Sequence, residues 1–194
     1  IASLAPALGN ITQLMTRNLY ALINVDVPWS YHLTVDYPSR HEIEFWCDNI
    51  TKLERSRIFY SDVPCSISVH CDASAVAAAA VMKCGISSEE ICLRNFTQSE
   101  KEKSSTWREL SILQYSLNSF SEKLAGKTVH YFTDNQSAVR IATAGSRLSE
   151  LHDMAVDMFY TCRQWKIDLR VSWLQRAQNV EADFWSRQYD TDNW

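Results

Sequence analysis

Four acidic residues stand at junctions between predicted secondary-structure elements: Asp72, Glu109, Asp134 and Asp183. Asp72 ends a run, Cys65–Cys71, in which apolar and polar side chains alternate as in a β-strand. Asp134 ends a second such run, Thr128–Thr133. If the two strands lie side by side and parallel, their last residues meet at one edge of the sheet. The pattern therefore predicts that Asp72 and Asp134 share a site.

Clustered carboxylates repel one another unless cations neutralise them. Their hard oxygen atoms suit Mg²⁺ or Mn²⁺ better than zinc. A pair of such ions about 4 Å apart activates a water and stabilises the leaving oxygen in phosphodiester hydrolysis. This chemistry needs acids and no cysteine or histidine nucleophile, so four carboxylates at one site predict a metal-dependent phosphodiesterase.

Each acid taken alone also has an ordinary structural interpretation. Asp134 could cap the helix predicted after it, since Asp is favoured at that position. Glu109 could complete a capping box with Thr106. Asp183 could complement the dipole at the start of a short helix. These alternatives stay open for single residues, but a purely structural interpretation needs four coincidences in register.

The N-terminal part of the chain, up to about residue 60, has helical patterns. Its apolar residues recur at spacings of three and four up to Pro28, and Ser39 to Glu42 has the form of a capping box before a second helix. In that second helix Ile43, Trp46, Ile50 and Leu53 form the predicted buried face. The turn Asp62-Val-Pro64 is the predicted boundary between a helical segment, 1–62, and a second domain, 63–194. The residues of the first apolar pattern are Leu8, Ile11, Leu14, Met15, Leu19 and Leu22.

From Cys65 the pattern changes to strands. The alanine-rich run Val76–Met82 fits a strand in a three-stranded meander or a helix, and 99–105 is predicted to be polar and exposed. A helix is predicted from Ser105 or Thr106 to Gly126, another follows Asp134, and a last strand alternates over 167–173. The order of elements predicts a mixed sheet with helices on its faces.

Length and composition set further limits. The 194 residues suffice for one domain with a real core and a small addition, and 46% hydrophobic content argues against disorder. No apolar run approaches the roughly 20 residues of a membrane span, so no membrane partner is predicted. The chain begins at Ile1 without a methionine, which indicates a piece of a longer protein. It carries no signal peptide, and its N-terminus does not predict the cellular location of that protein.

Charge and cysteine content bear on partners and compartment. The six cysteines form no C-x-x-C pair and lie mostly in apolar runs, so buried free thiols and an intracellular, reducing compartment are predicted. The formal net charge of −4 does not indicate a globally basic nucleic-acid binder. Phosphate binding would then depend on a local group of basic residues or on a neighbouring domain of the parent chain.

The acidic motifs resemble those of ribonuclease H domains. They are Cys71-Asp-Ala-Ser74, Trp107-Arg-Glu-Leu110, Phe132-Thr-Asp-Asn-Gln136 and Asn179-Val-Glu-Ala-Asp-Phe-Trp-Ser-Arg187. Their order and spacing are similar to the ribonuclease H of retroelement reverse transcriptases, with the nearest likeness to the DIRS-like group. The motifs span Cys65 to Arg187, about two-thirds of the chain. Residues 1–60 more weakly resemble the thumb- or connection-like region before ribonuclease H in such polyproteins.

The resemblance implies a fold, an activity and partners. The fold would be α/β, a ribonuclease H-like mixed five-stranded sheet with helices on both faces, preceded by a small helical segment. The activity would be endonucleolytic hydrolysis of the RNA strand of RNA–DNA hybrids by a two-metal mechanism, with two Mg²⁺ ions for which Mn²⁺ may substitute. The partners would be the hybrid and the polymerase domains of a parent RNA-directed DNA polymerase polyprotein, with no small-molecule cofactor.

The resemblance also implies residue roles. Asp72 would bridge both ions, Glu109 and Asp134 would complete the site for the leaving 3′ oxygen, and Asp183 would help to hold the ion that activates water. Substrate contacts would come from a second set of residues, for which turn or cap roles are open alternatives. These are Ser74, Asn135, Gln136, Arg140, Arg176, Asn179 and Arg187.

Two departures from the family pattern affect the expected activity. The loop Leu174–Gln178 lacks the histidine that many members carry, so slower turnover is expected. The connection 144–148 is too short for a basic protrusion, so substrate grip would fall to Arg140, Arg147, Arg176 and the polymerase domains, and the fragment alone would bind weakly at high salt.

Three other functions are consistent with the same fold. A non-catalytic ribonuclease H-like module could bind nucleic acid or protein, although an inactive relative usually loses at least one acid and all four stand here. A 3′–5′ exonuclease or a DNA-strand transferase would space its acids differently. The hydrolase is therefore the leading hypothesis.

Overall fold

The computed structural model describes residues 8–28, 30–53, 65, 67–85 and 88–188. The N-terminal part forms helices α1 (Ile11–Leu14), α2 (Arg17–Ile23) and α3 (Tyr37–Leu53). The helical pattern predicted before Pro28 is present as two helices, because the chain turns at Met15 and Thr16 between α1 and α2. At this turn the Thr16 side-chain hydroxyl donates a hydrogen bond to the carbonyl oxygen of Thr12.

Helix α3 does not start with the predicted Ser39–Glu42 capping box. The Asp36 carboxylate accepts a hydrogen bond from the Ser39 amide at 2.9 Å, and Glu42 points elsewhere. Both Glu42 oxygens accept bonds from the first turn of α2, at the amides of Asn18 and Leu19. The predicted apolar face is also partly wrong, because Ile43 is exposed whereas Trp46 is buried.

A five-stranded sheet forms the centre of the molecule, in the order β3-β2-β1-β4-β5. Strands β1, β2 and β3 form the predicted antiparallel meander, and β4 and β5 add to it in parallel. The alanine-rich run is thus a strand and not a helix, and the prediction of a mixed five-stranded sheet is confirmed. The strands are β1 (Ile67–Ala73), β2 (Ala77–Cys84), β3 (Ser88–Asn95), β4 (Thr128–Thr133) and β5 (Asp168–Trp173).

Helices cover both faces of the sheet. The Ile67, Val69 and Cys71 side of β1 packs in the main core with the long helix α5 (Ser105–Ser119). The opposite side of β1, bearing Asp72, meets the last helix, α9 (Val180–Ser186). The helices after the meander are α4 (Gln98–Lys101), α5 (Ser105–Ser119), α6 (Ser121–Leu124), α7 (Gln136–Ala144), α8 (Ser149–Trp165), a 3₁₀ turn (Arg176–Gln178) and α9 (Val180–Ser186).

The N-terminal helices pack directly on α8 through a second apolar cluster. Leu14, Met15, Phe45 and Trp46 form one buried cluster with Ala155 there, and the Trp46 indole N–H donates to the Met15 carbonyl at 2.7 Å. The predicted boundary at 62/63 lies outside the described residues, so the division into 1–62 and 63–194 stays a prediction.

The exposure of the cysteines and the character of the helices test two further predictions. All six cysteines are free thiols, but the prediction that they are buried is wrong for Cys47 and Cys84, which are exposed. No helix in the described part of the chain combines the length and the apolar character needed to cross a membrane.

Candidate active site

Strands β1 and β4 bring Asp72 and Asp134 to one edge of the sheet. They pair in parallel with His70 opposite Phe132. Asp72 and Asp134 each follow two residues later, so both lie beyond the same end of the pair. Asn135, not Asp134, caps α7, because its side-chain oxygen accepts a hydrogen bond from the Ala138 amide at 3.0 Å. Asp134 is therefore not the cap.

Helix α5 adds Glu109 to the two aspartates. Its N-cap is Ser104, whose hydroxyl accepts from the Trp107 amide at 3.1 Å, so the capping box with Thr106 is wrong. Glu109 Oε1 instead accepts from the Ala73 amide at 3.2 Å, and Oε2 accepts from the Thr133 hydroxyl at 3.1 Å. The carboxylate is thereby fixed between β1 and β4.

Asp72, Glu109 and Asp134 form a compact group of carboxylates. Each offers an oxygen atom, and these atoms lie within 4.8 Å of one another. Asp72 is 3% exposed and Glu109 is 5% exposed, so water screens their repulsion poorly. A donor set made only of carboxylate oxygens fits a hard divalent cation such as Mg²⁺ or Mn²⁺.

The protonation of the group reflects this crowding. Burial, followed by the charges of Asp72 and Asp134, raises the pKa of Glu109 to about 8, against the opposing effect of the Thr133 and Ala73 hydrogen bonds. Burial also raises the pKa of Asp72, and the Ser186 hydrogen bond opposes that rise. A bound cation would favour the ionised forms of both.

Asp183 lies beside this group with different partners. Its Oδ1 accepts from Nη2 of Arg176 and from Nε of Arg187, each at 3.0 Å. The Ser186 hydroxyl lies 2.5 Å from Asp72 Oδ2 and 3.0 Å from the Asp183 carbonyl oxygen, so it bridges the two residues. Asp183 is thus next to Asp72, but two guanidinium groups balance its charge.

Several predicted substrate residues have structural partners. Ser74 is buried in the β1–β2 turn, where its hydroxyl accepts from the Ala77 amide and also lies 3.1 Å from the Ala77 carbonyl oxygen. Asn179 is 1% exposed and donates from Nδ2 to the Cys71 carbonyl at 2.8 Å, so its side chain joins the start of α9 to β1.

The remaining predicted contacts lie nearer to solvent. Gln136 and Arg140 are exposed on α7, which begins at the carboxylates. Arg176 and Arg187 flank Asp183, as described above.

Three residues near the carboxylates were missed in the sequence: Thr133, Ser186 and Trp173. Thr133 precedes Asp134 on the inward side of β4, a position that alternation identifies. Ser186 is three residues after Asp183, on the same side of α9. The Trp173 indole N–H donates to the Asp134 carbonyl at 3.0 Å, and no local pattern indicates that contact.

Comparison with solved structures supports the architecture. RNase H1 from the halophilic archaeon Halobacterium salinarum superposes with a TM-score of 0.50 at 15% identity, over 65% of this chain and 96% of that one. The chain has a ribonuclease H-like fold. At this identity the likeness concerns the fold, and the chemistry is argued from the carboxylates.

Two further solved structures are also similar. The N-terminal RNase H domain of a Mycobacterium tuberculosis protein has a TM-score of 0.47 at 15% identity, over 63% of this chain and 91% of that one. The prototype foamy virus protease–reverse transcriptase has a TM-score of 0.43 at 11% identity, over 89% of this chain and 23% of that one. Neither a family model nor a curated protein matches the sequence.

Proposed function

We propose that this chain hydrolyses the RNA strand of RNA–DNA hybrids with the help of two divalent ions. The supporting observation is the group of carboxylate oxygens from Asp72, Glu109 and Asp134 within 4.8 Å, at the edge of a ribonuclease H-like sheet. These residues would hold Mg²⁺, or Mn²⁺ in its place, and Asp183 would join Asp72 in holding the second ion. Bound there, the ions would supply an activated water and stabilise the leaving oxygen.

The protein's own groups prepare this site before any substrate binds. The Thr133 hydroxyl and the Ala73 amide orient Glu109, and the Trp173 indole anchors the main chain at Asp134. The exposed side chains of Gln136 and Arg140 extend away along α7. We propose that they contact the backbone of the hybrid, and that its 2′-hydroxyl groups on an accessible minor groove select RNA.

We further propose that the chain is the ribonuclease H part of a DIRS-like retroelement polyprotein and that it works beside polymerase domains inside the cell. The support is the Ser105-Thr-Trp-Arg-Glu-Leu110 and Thr133-Asp-Asn-Gln136 motifs. Six free thiols suit a reducing compartment.

A non-catalytic binding module is the second candidate. The observation that favours it is the pairing of Asp183 with Arg176 and Arg187, which supplies the positive charge that a metal ion would otherwise bring. On this alternative the site binds nucleic acid or protein without cutting.

A single assay separates the candidates. The chain is incubated with labelled RNA–DNA hybrid, duplex DNA or duplex RNA, with Mg²⁺ or Mn²⁺ and then with EDTA. We expect cleavage of the hybrid only, abolished by EDTA and by Asp134→Asn. The exposed Asp26→Asn, outside the carboxylate group, is the matched control and should cut normally. Binding without cleavage supports the second candidate, and cleavage of duplex DNA overturns the proposed specificity.

A further inference from the structure

An open cavity of about 710 Å³ lies between helices α1 and α2 and the connection from α7 to α8. Its described lining includes two arginines and a histidine and no acidic residue. It is separate from the carboxylate group, which lines none of it. Polar residues of the lining include Thr16, Arg17, Ser146, Arg147, Ser149 and His152.

The N-terminus of α8 opens at this cavity without a side-chain cap. The N-cap is Leu148, which has no hydrogen-bond acceptor in its side chain. The first amides of this 17-residue helix therefore retain donors, and its dipole adds partial positive charge. The acid in the first turn, Glu150, is paired with Lys103 at 2.9 Å, and neither residue lines the cavity.

Two buried side-chain nitrogens without partners at the same place make a second, independent observation. His152 is 4% exposed, and its Nδ1 has no hydrogen-bond partner in the described part of the chain. Arg17 donates from Nη2 to the Gly145 carbonyl at 3.0 Å, but its buried Nε has no partner there either. Glu42 does not fill this need, because its oxygens bond to Asn18 and Leu19 and it lies 3.8 Å from His152 Nε2. An unsatisfied buried donor is costly. Arg17 Nε is such a donor, and His152 Nδ1 is one when it carries the ring proton, so an anion would relieve them.

Helix α7 connects the cavity with the carboxylates. It begins next to Asp134 and ends at Gly145, which contacts both Arg17 and His152. Its nine residues span about 13 Å at the usual rise per residue. That length is within the reach of a few nucleotides of backbone, and the exposed Arg140 lies on the same helix.

We propose that this cavity binds a backbone phosphate of the nucleic acid held at the carboxylates, and that the N-terminal segment thereby forms part of the substrate-binding surface. Arg147, which is exposed, would reach the phosphate from one side. Arg17, His152 and the first amides of α8 would bind it from within the cavity. The inference rests on the proposed function for the identity of the ligand.

Binding without cleavage gives the first test. The full chain in EDTA is titrated with fluorescent RNA–DNA hybrid at several salt concentrations, as wild type, Arg147→Gln and Arg40→Gln. Arg40 is an exposed arginine on α3 outside the cavity, so it is the matched control. We expect Arg147→Gln to bind roughly three- to tenfold more weakly, with a salt slope shallower by about 0.7–0.9, as for one lost phosphate contact. Equal losses in the two variants, or no loss in Arg147→Gln, would overturn the proposal.

A second measurement identifies the groups involved. Titration of the metal-free protein with inorganic phosphate should shift the amide resonances of Ser149, Glu150 and Leu151, and Arg147→Gln should weaken those shifts. Shifts with phosphate but wild-type hybrid binding by Arg147→Gln would mean an anion site that does not serve nucleic acid, which also overturns the proposal. Both measurements omit the catalytic ions. A protein that binds hybrid but never cuts it would therefore refute the proposed function without deciding this inference.

Discussion

The Thr133 hydroxyl donates a hydrogen bond to Glu109 Oε2 at 3.1 Å and so connects β4 to α5 inside the carboxylate group. Thr133 is completely buried, and its hydroxyl also accepts from the Asn135 amide at 3.2 Å. One small side chain therefore orients an acid of the proposed metal site and supports the turn into α7.

Replacement of Thr133 by valine should keep the shape of the side chain and remove this donor. The hydrogen bond lowers the pKa of Glu109, so in the variant this carboxyl group should hold its proton more tightly. Mg²⁺ competes with that proton, and the variant should bind the ion about 10–100-fold more weakly. The dependence of hybrid cleavage on Mg²⁺ concentration measures this. Thr143→Val, which removes a hydroxyl bonded to the Val139 carbonyl, is the control. Equal Mg²⁺ requirements in the two variants would contradict the role given to Thr133.

The metal-free protein should lose stability as pH rises, through Glu109. Its pKa is 4.5 in the unfolded chain and about 8 in the folded one, so between these values only the folded state keeps the proton. The free energy of unfolding therefore falls across that interval and is unaffected below it. Burial lowers the pKa of His70, His130 and His152, and these groups act in the opposite direction.

A comparison with Glu109→Gln isolates the acid from those histidines. In EDTA, urea unfolding at several pH values from 5 to 8 should show a stability of wild type that declines relative to the variant. Added Mg²⁺ should reverse the decline in wild type only, because a bound cation favours the ionised carboxylate. A constant difference between the two proteins across this range would refute the assignment to Glu109.

Substitutions of the neighbouring residues Asp134 and Asn135 should have opposite effects on cleavage and on stability. Asp134→Asn removes a ligating charge and relieves repulsion, so cleavage should be lost with the melting temperature unchanged or higher. Asn135→Ala removes the cap of α7 and should cost about 1 kcal/mol of stability with cleavage largely retained. A large rise in KM for hybrid in Asn135→Ala, at unchanged melting temperature, would instead assign Asn135 to substrate binding.

Gly145 should tolerate substitution less well than Gly126. Both have positive φ, 73° and 71°, but a Cβ at Gly145 would lie 2.5 Å from His152 Nδ1 and 3.2 Å from Leu14 Cδ1, whereas nothing lies within 4 Å at Gly126. Gly126→Ala pays for backbone strain alone, and Gly145→Ala should be less stable by a further 1–3 kcal/mol or so from overpacking. Thermal unfolding of both variants measures the difference, and equal losses would mean that the contacts of Gly145 are loose.

The sequence predicted the sheet and a site shared by four acids, three of which form the compact group, because their signals are local. Alternation identified β1 and β4, and parallel pairing then placed Asp72 and Asp134 together. The capping boxes were the main failure, since Ser39–Glu42 and Thr106–Glu109 fit the pattern but both glutamates bind distant partners. A real capping box joins Thr97 to Glu100, which lies near the start of the stretch 99–105 predicted to be polar and exposed.

The surroundings of Asp183 show the same limit. Its pairing with Arg187 follows helical spacing of four residues and is visible in the sequence. Its pairing with Arg176 depends on how the 3₁₀ turn folds back before α9, which no local pattern encodes. The donors that hold Glu109 come from two strands far along the chain in either direction, so only the folded sheet reveals them.

The packing of Phe45 and Trp46 against α8 has a practical consequence. Phe45 meets Phe159 edge-on, with ring centroids 5.8 Å apart, next to the buried Ala155. A recombinant protein truncated to start at the first strand would expose that apolar side of α8 to solvent. Exposed apolar surfaces of this kind promote aggregation. Soluble preparations for crystallography or kinetics should therefore retain the leading helices.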